Sequence, residues 1–110
     1  MRTMKHLMLV AALWLSSGAL AAEWTSTQAI KEIQFDGAVE RLWVLGPANW
    51  SSAGCPNAQW IVVQSSVLGN KQILSLAAAA QMAGKRVTFW GTCDAATPDR
   101  FNATLIRVAD

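Results

Sequence analysis

A mainly β fold with a single helix is predicted by three observations. Residues 29–36, AIKEIQFD, alternate apolar and polar side chains, the period of a half-buried strand. Residues 70–84 switch to a helical stripe of apolar positions. Cys55 and Cys93 are the only two cysteines of the chain, an even pair fit for one disulfide.

In chain order, the first element is a leader. Arg2 and Lys5 give a positive start, Leu7 to Leu15 is an unbroken apolar run, and Ser16-Ser17-Gly18 follows. Ala19-Leu20-Ala21 is a small-x-small cleavage site, with Leu20-Ala21-Ala22 as an alternative one residue on. These are the parts a signal peptidase recognises. The competing assignment is a retained N-terminal anchor, but the apolar run falls far short of the roughly 20 residues that span a bilayer. No cysteine stands at the cleavage point, so the leader is not of the lipoprotein kind. The expected layout is a signal peptide over 1–22 and one domain over 23–110, secreted or periplasmic, with no membrane span.

Removing the leader changes the charge. Two of the nine basic residues, Arg2 and Lys5, leave with it, and seven remain against seven acidic ones. The remainder is near neutral, so no net field draws it to nucleic acid or anionic lipid. The single histidine, His6, also leaves.

So small a domain benefits from a covalent staple. In an oxidising compartment the Cys55–Cys93 pair reads as a structural disulfide. Its long loop corresponds to about 4 kcal/mol of loop-closure entropy. Zinc needs three or four ligands, and no histidine or third cysteine remains. A thioredoxin-like redox site needs closely spaced cysteines. No metal and no cofactor are expected.

Ile33 and Phe35 share one face of the first strand; Glu32, Gln34 and Asp36 share the other. Gly37 is a turn residue, and ERLWVL at 40–45 is a second strand stopped by Gly46-Pro47. Their short spacing predicts a hairpin. Residues 47–58, rich in Ser, Gly, Pro and Asn, form a loop holding Trp50 and Cys55. QWIVVQ at 59–64 is a third strand, apolar on both faces.

The helix runs from Asn70, a plausible N-cap, to Gly84, a plausible C′ residue. Its stripe is Ile73, Leu76, Ala77, Ala80 and Ala83, with Leu74 beside it. RVTFWGTC at 86–93 is a fourth strand ending on the second cysteine. Asp94 to Arg100 is a polar loop containing Pro98, and NATLIRV at 102–108 is the last strand. The order β-β-β-α-β-β predicts an OB-like five-stranded barrel with the helix plugging one end. Closure removes exposed sheet edges. An open or three-layer sheet with one helix is the runner-up.

Several segments carry a resemblance: Glu23-Trp24-Thr25, AIKEIQFDG, Cys55 followed by Trp60-Ile61-Val62-Val63, ILSLAAAAQMAGK and RVTFWGTC. Together they cover most of residues 23–110, each motif being short. On these residues the chain resembles small secreted bacterial proteins related to the B subunits of subtilase-type AB toxins. That resemblance implies an OB-fold, assembly as a homo-oligomeric ring of five, and binding of cell-surface glycans. The family's glycan pocket includes an aromatic hydroxyl. This chain has no tyrosine, so the pocket does not transfer residue by residue.

Without histidine, Ser-His-Asp and Cys-His nucleophile systems cannot be built. Seven scattered carboxylates make no glycosidase motif, and no phosphate-binding glycine loop occurs. The chain is therefore expected to have no catalytic residues and to be no enzyme.

Five tryptophans remain after the leader: Trp24, Trp43, Trp50, Trp60 and Trp90. Those on strands, Trp43, Trp60 and Trp90, are expected in the core or at a subunit contact. Trp50 sits in a polar loop, and Asn49-Trp50-Ser51-Ser52 offers an aromatic face beside amide and hydroxyl groups, a candidate sugar platform. Packing of Trp50 over the disulfide is the competing role. Asn49-Trp50-Ser51 and Asn102-Ala103-Thr104 match the glycosylation sequon and are read as coincidence. An OB barrel can bind single strands through aromatics in a basic groove, but the charge balance excludes that groove. The expected function is a non-enzymatic binding module for a glycan; the alternative is a protein-interaction or inhibitor protein.

Overall fold

The computed structural model describes residues 21–109. Of the leader expected at 1–22, all but its last two residues lies outside that range. The described chain is mainly β with one helix. Its strands are β1 (Glu23–Trp24), β2 (Glu32–Asp36), β3 (Arg41–Leu45), β4 (Trp60–Val63), β5 (Arg86–Cys93) and β6 (Arg100–Ala109). The helix, α1 (Asn70–Ala83), lies between β4 and β5. No helix among the described residues is long and apolar enough to cross a membrane.

The strands form one six-stranded sheet in the order β1-β5-β6-β4-β3-β2. There are six strands rather than the expected five, and the two edges, β1 and β2, are not paired with each other. The extra strand comes from the N-terminal segment, which serves both edges in turn. Thr25 N–H donates to Phe89 O at 2.9 Å, and Gln28 and Val87 exchange both backbone bonds. Three residues on, Lys31 N–H donates to Leu45 O at 2.8 Å, and β2 then pairs with β3. Buried threonines fasten the first half: Thr25 Oγ1 accepts from Phe89 N–H at 3.0 Å, and Thr88 Oγ1 donates to Thr25 O at 2.7 Å.

β2 and β3 form the expected hairpin in the register Ile33–Val44 and Phe35–Leu42. Asp36 Oδ1 accepts from Ala38 N–H at 3.0 Å and so tightens the turn. The left-handed residue there is Glu40, at φ 50°, not Gly37. β4 continues the meander antiparallel to β3, and β6 then pairs with β4 in parallel. A parallel pair needs a crossover, and α1 with β5 supplies it.

The inner face of the sheet holds Leu42, Val44, Ile61, Val63, Val87, Phe89, Phe101 and Ala103, all buried, with Ile73, Ala77 and Ala80 of α1 against them. Each large apolar side chain so buried contributes roughly 1.5–3 kcal/mol. The alanines let the helix lie close. The helical stripe is narrower than the sequence implies: Leu76 is 49% exposed and Ala83 also faces out. Gly84 ends the helix in the left-handed conformation at φ 67°. Gly84 N–H donates to Gln81 O and Lys85 N–H to Ala80 O, a Schellman stop. The N-terminus departs from expectation. Gly69 is the N-cap and Asn70 the first helical residue, its Nδ2 donating back to Val63 O at 2.9 Å. Asn70 therefore ties the helix to β4 instead of capping it.

Cys55 and Cys93 form the disulfide, with Cα atoms 5.3 Å apart. It joins the 47–58 loop to the end of β5.

Candidate functional site

The four residues singled out in that loop do not form a sugar platform. Trp50 has no exposed surface; it packs edge-on against Phe89 with ring centroids 5.2 Å apart. A sugar ring cannot stack on a face that solvent does not reach. The loop backbone draws the indole inward, Trp50 N–H donating to Ala58 O at 2.7 Å. Trp50 shares the core cluster with Cys55, and the half-buried Cys93 packs against that cluster. The polar neighbours brace the loop internally and tie it to the N-terminal segment. Asn49 O accepts from Ser26 Oγ and Gln28 Nε2, Ser51 Oγ donates to Pro56 O at 3.1 Å, and Ser52 Oγ donates to Glu23 Oε1 at 2.7 Å.

Of the two places expected for the strand tryptophans Trp43, Trp60 and Trp90, the core is not where they lie. Trp24, Trp43, Trp60 and Trp90 are half-buried on the face opposite the core and meet in two pairs. Trp43 and Trp60 lie edge to face at 5.9 Å, with the Arg100 guanidinium 4.9 Å from the Trp43 ring and Arg41 at 5.9 Å. Trp24 and Trp90 are tilted at 5.3 Å, with Arg107 3.8 Å from the Trp24 ring. Such cation–π contacts contribute about 0.5–1 kcal/mol at partly exposed sites.

A groove of about 320 Å³ opens where the end of β4 meets β6 and β5. Its polar lining is Gln64 just past β4, Ser66, Thr92 on β5, and Asn102 and Thr104 on β6. Gly91, Ala103, Val67 and Ala22 complete it. Among the described residues that line it, none carries an ionisable side chain. The groove sits beside a β-bulge: the β5–β6 register shifts between Trp90 and Gly91. Bulges bend strands and re-aim side chains, and here Gly91 lets the β6 backbone come close. A Cβ on Gly91 would run into the Asn102 carbonyl oxygen.

The amides of the groove are held from outside it. Arg41 Nε donates to Gln64 Oε1 at 3.0 Å, and Gln64 Nε2 donates to Asn102 Oδ1 at 3.3 Å. Asp94 lies at the other end. Burial raises its pKa, but backbone N–H groups of Thr97 and Ala96 and the side chains of Thr97 and Asn102 outweigh this, so its carboxyl sits below the ordinary value. The chain of polar groups thus runs from a cation on β3 to an anion after β5.

None of the groove's polar residues is among the binding residues expected from the sequence, where Asn102 and Thr104 were noted only as a coincidental sequon. Gln64 and Asn102 meet through the parallel β4–β6 pairing, and no local pattern encodes that pairing. The available signal was the outward position of polar Gln64, Thr92 and Asn102 on successive strands. Comparison of the chain with protein-family models, with curated proteins and with solved structures gives no match.

Proposed function

We propose that this chain is an exported, non-enzymatic binding module built on an OB-like barrel, and that the groove across β4, β6 and β5 takes a glycan. The observation that carries the reading is the groove's lining: amides and hydroxyls, without an ionisable side chain, over small floor residues. Ligand sites of this size commonly use a few placed polar groups to fix orientation. A sugar's hydroxyls both donate and accept, and such groups match them.

The OB-like part rests on the N-terminal segment. If residues 23–36 are taken as one bent strand, that strand bonds β5 with its first half and β3 with its second. The count then returns to five, and the sheet's two edges meet in one segment. Export is supported by the leader pattern and by the intramolecular disulfide. The relation to toxin B subunits, and a ring of five, stand as extensions of the same reading.

The test is a glycan array with residues 22–110. Signal that disappears in Asn102→Leu, with thermal stability retained, supports the proposal. An empty array, or signal unchanged in that variant, rejects it. A protein partner is the second reading, favoured by exposed Leu68, Leu76 and Met82 on and beside α1. One stoichiometric partner captured from envelope extract, and lost in Leu76→Lys, would favour it.

A further inference from the structure

The direction of hydrogen bonding across the groove floor is set from outside the groove. Arg41 carries only donors. Its Nε–H on Gln64 Oε1 therefore leaves Gln64 one way round, with oxygen toward β3 and Nε2 toward β6. Nε2 in turn donates to Asn102 Oδ1, which turns the Asn102 Nδ2 away from Gln64. Reversing the first amide would set nitrogen against guanidinium; reversing the second would set nitrogen against nitrogen. Each amide nitrogen has two hydrogens; the Gln64–Asn102 bond uses one of the four and the Asn102–Asp94 contact a second, which leaves one on each amide. Asn102 assists the charged Asp94 by donation, so Asp94 favours the same orientation. The two amides thus offer spare N–H groups to a groove whose other polar side chains, Ser66, Thr92 and Thr104, are hydroxyls free to act either way.

We propose that the groove selects a ligand bearing an sp² acceptor oxygen, the carbonyl of an acetamido sugar or the carboxylate of an acidic sugar, through the N–H groups of Gln64 and Asn102, and that Arg41 is the positioning residue that sets this preference. The proposal rests on the glycan reading above and narrows its ligand. One sp² oxygen, or the two oxygens of a carboxylate, takes two neighbouring donors without bringing a hydrogen of its own. A sugar hydroxyl that accepts from an amide brings an O–H that needs a further partner.

The test is NMR titration of the purified chain with three probes: methyl N-acetylglucosaminide, methyl glucuronide and methyl glucoside. The expected result is that one of the first two binds at least about tenfold more tightly than methyl glucoside, a difference of about 1.4 kcal/mol. Its binding shifts the side-chain amide resonances of Gln64 and Asn102, and the probe that binds identifies the acceptor. Arg41→Lys, still a pure donor, keeps the preference, whereas Arg41→Met brings it to about threefold or less. Should Arg41→Met fail to fold, Gln64→Glu replaces the amide donor by an acceptor beside the retained arginine and abolishes the preference. Equal binding of all three probes, or a preference that survives Arg41→Met or Gln64→Glu, overturns the proposal and leaves the glycan reading standing. Binding of none of them to the groove overturns both.

Discussion

The Asn102 carbonyl oxygen occupies the space that a Cβ on Gly91 would need. This close approach places the β-bulge, and with it the amide of Asn102, at the edge of the groove. Gly91→Ala is expected to force the β5 and β6 backbones apart. Overpacking of this kind costs typically 1–3 kcal/mol, and the movement displaces a groove residue. Urea unfolding should show a midpoint lowered accordingly, with ligand binding weakened beyond what partial unfolding explains. An unchanged midpoint would mean that the strands accommodate the methyl group elsewhere.

The tryptophans divide into a structural and a surface class. Trp50→Ala removes a fully buried ring packed on Phe89 and is expected to cost about 3–5 kcal/mol. Trp43→Ala, which removes a half-buried ring, is expected to cost clearly less. Paired denaturation curves give the ranking. Acrylamide should quench Trp50 least in a series of single-tryptophan deletions.

Cys55→Ser combined with Cys93→Ser is expected to lower stability by about 2–4 kcal/mol, since the bridge closes a long loop. The 47–58 loop should loosen most, seen as faster amide exchange at Trp50 than at Val87. Equal exchange at the two amides would place the bridge's effect elsewhere.

Asp94 gives a pH dependence of defined sign. Its carboxyl is held below the ordinary value by donors from Thr97, Ala96 and Asn102 acting against burial. A depressed carboxylate adds stability above its unfolded-state pKa, near 3.9, and loses it as pH falls through the lower folded-state value. The stability gap between the wild-type chain and Asp94→Asn should therefore shrink as pH is lowered from 6 towards and below that range. A gap that stays constant in urea titrations across the range would show that Asp94 is not so held.

Local signals in the chain were strong enough to locate most elements. Ile33 and Phe35 alternate with Glu32, Gln34 and Asp36, and β2 faces as that pattern requires. Ile73, Ala77 and Ala80 mark the buried side of α1, and Gly84 its end. Cys55 and Cys93 had no rival partners. β1 is too short, at two residues, to show a period. Trp50 was legible both as a sugar platform and as packing over the disulfide; it lies in the core with Cys55, and composition alone does not say whether a loop folds back over the core. Whether the strand tryptophans pack in the core was not legible, because alternation assigns two faces without saying which one is buried. The groove was invisible for a topological reason. Gln64 and Asn102 are far apart in sequence, and only the parallel pairing of β4 with β6 joins them.

The central claim is that ligand is held by the groove and not by the loop. It is tested most directly by amide and side-chain chemical-shift mapping of the isotopically labelled chain, titrated with the glycan that gives the strongest array signal. The account predicts saturable shifts centred on Gln64, Ser66, Thr92, Asn102 and Thr104. Shifts centred on Asn49, Ser51 and Ser52, or none at a saturating concentration, would contradict it.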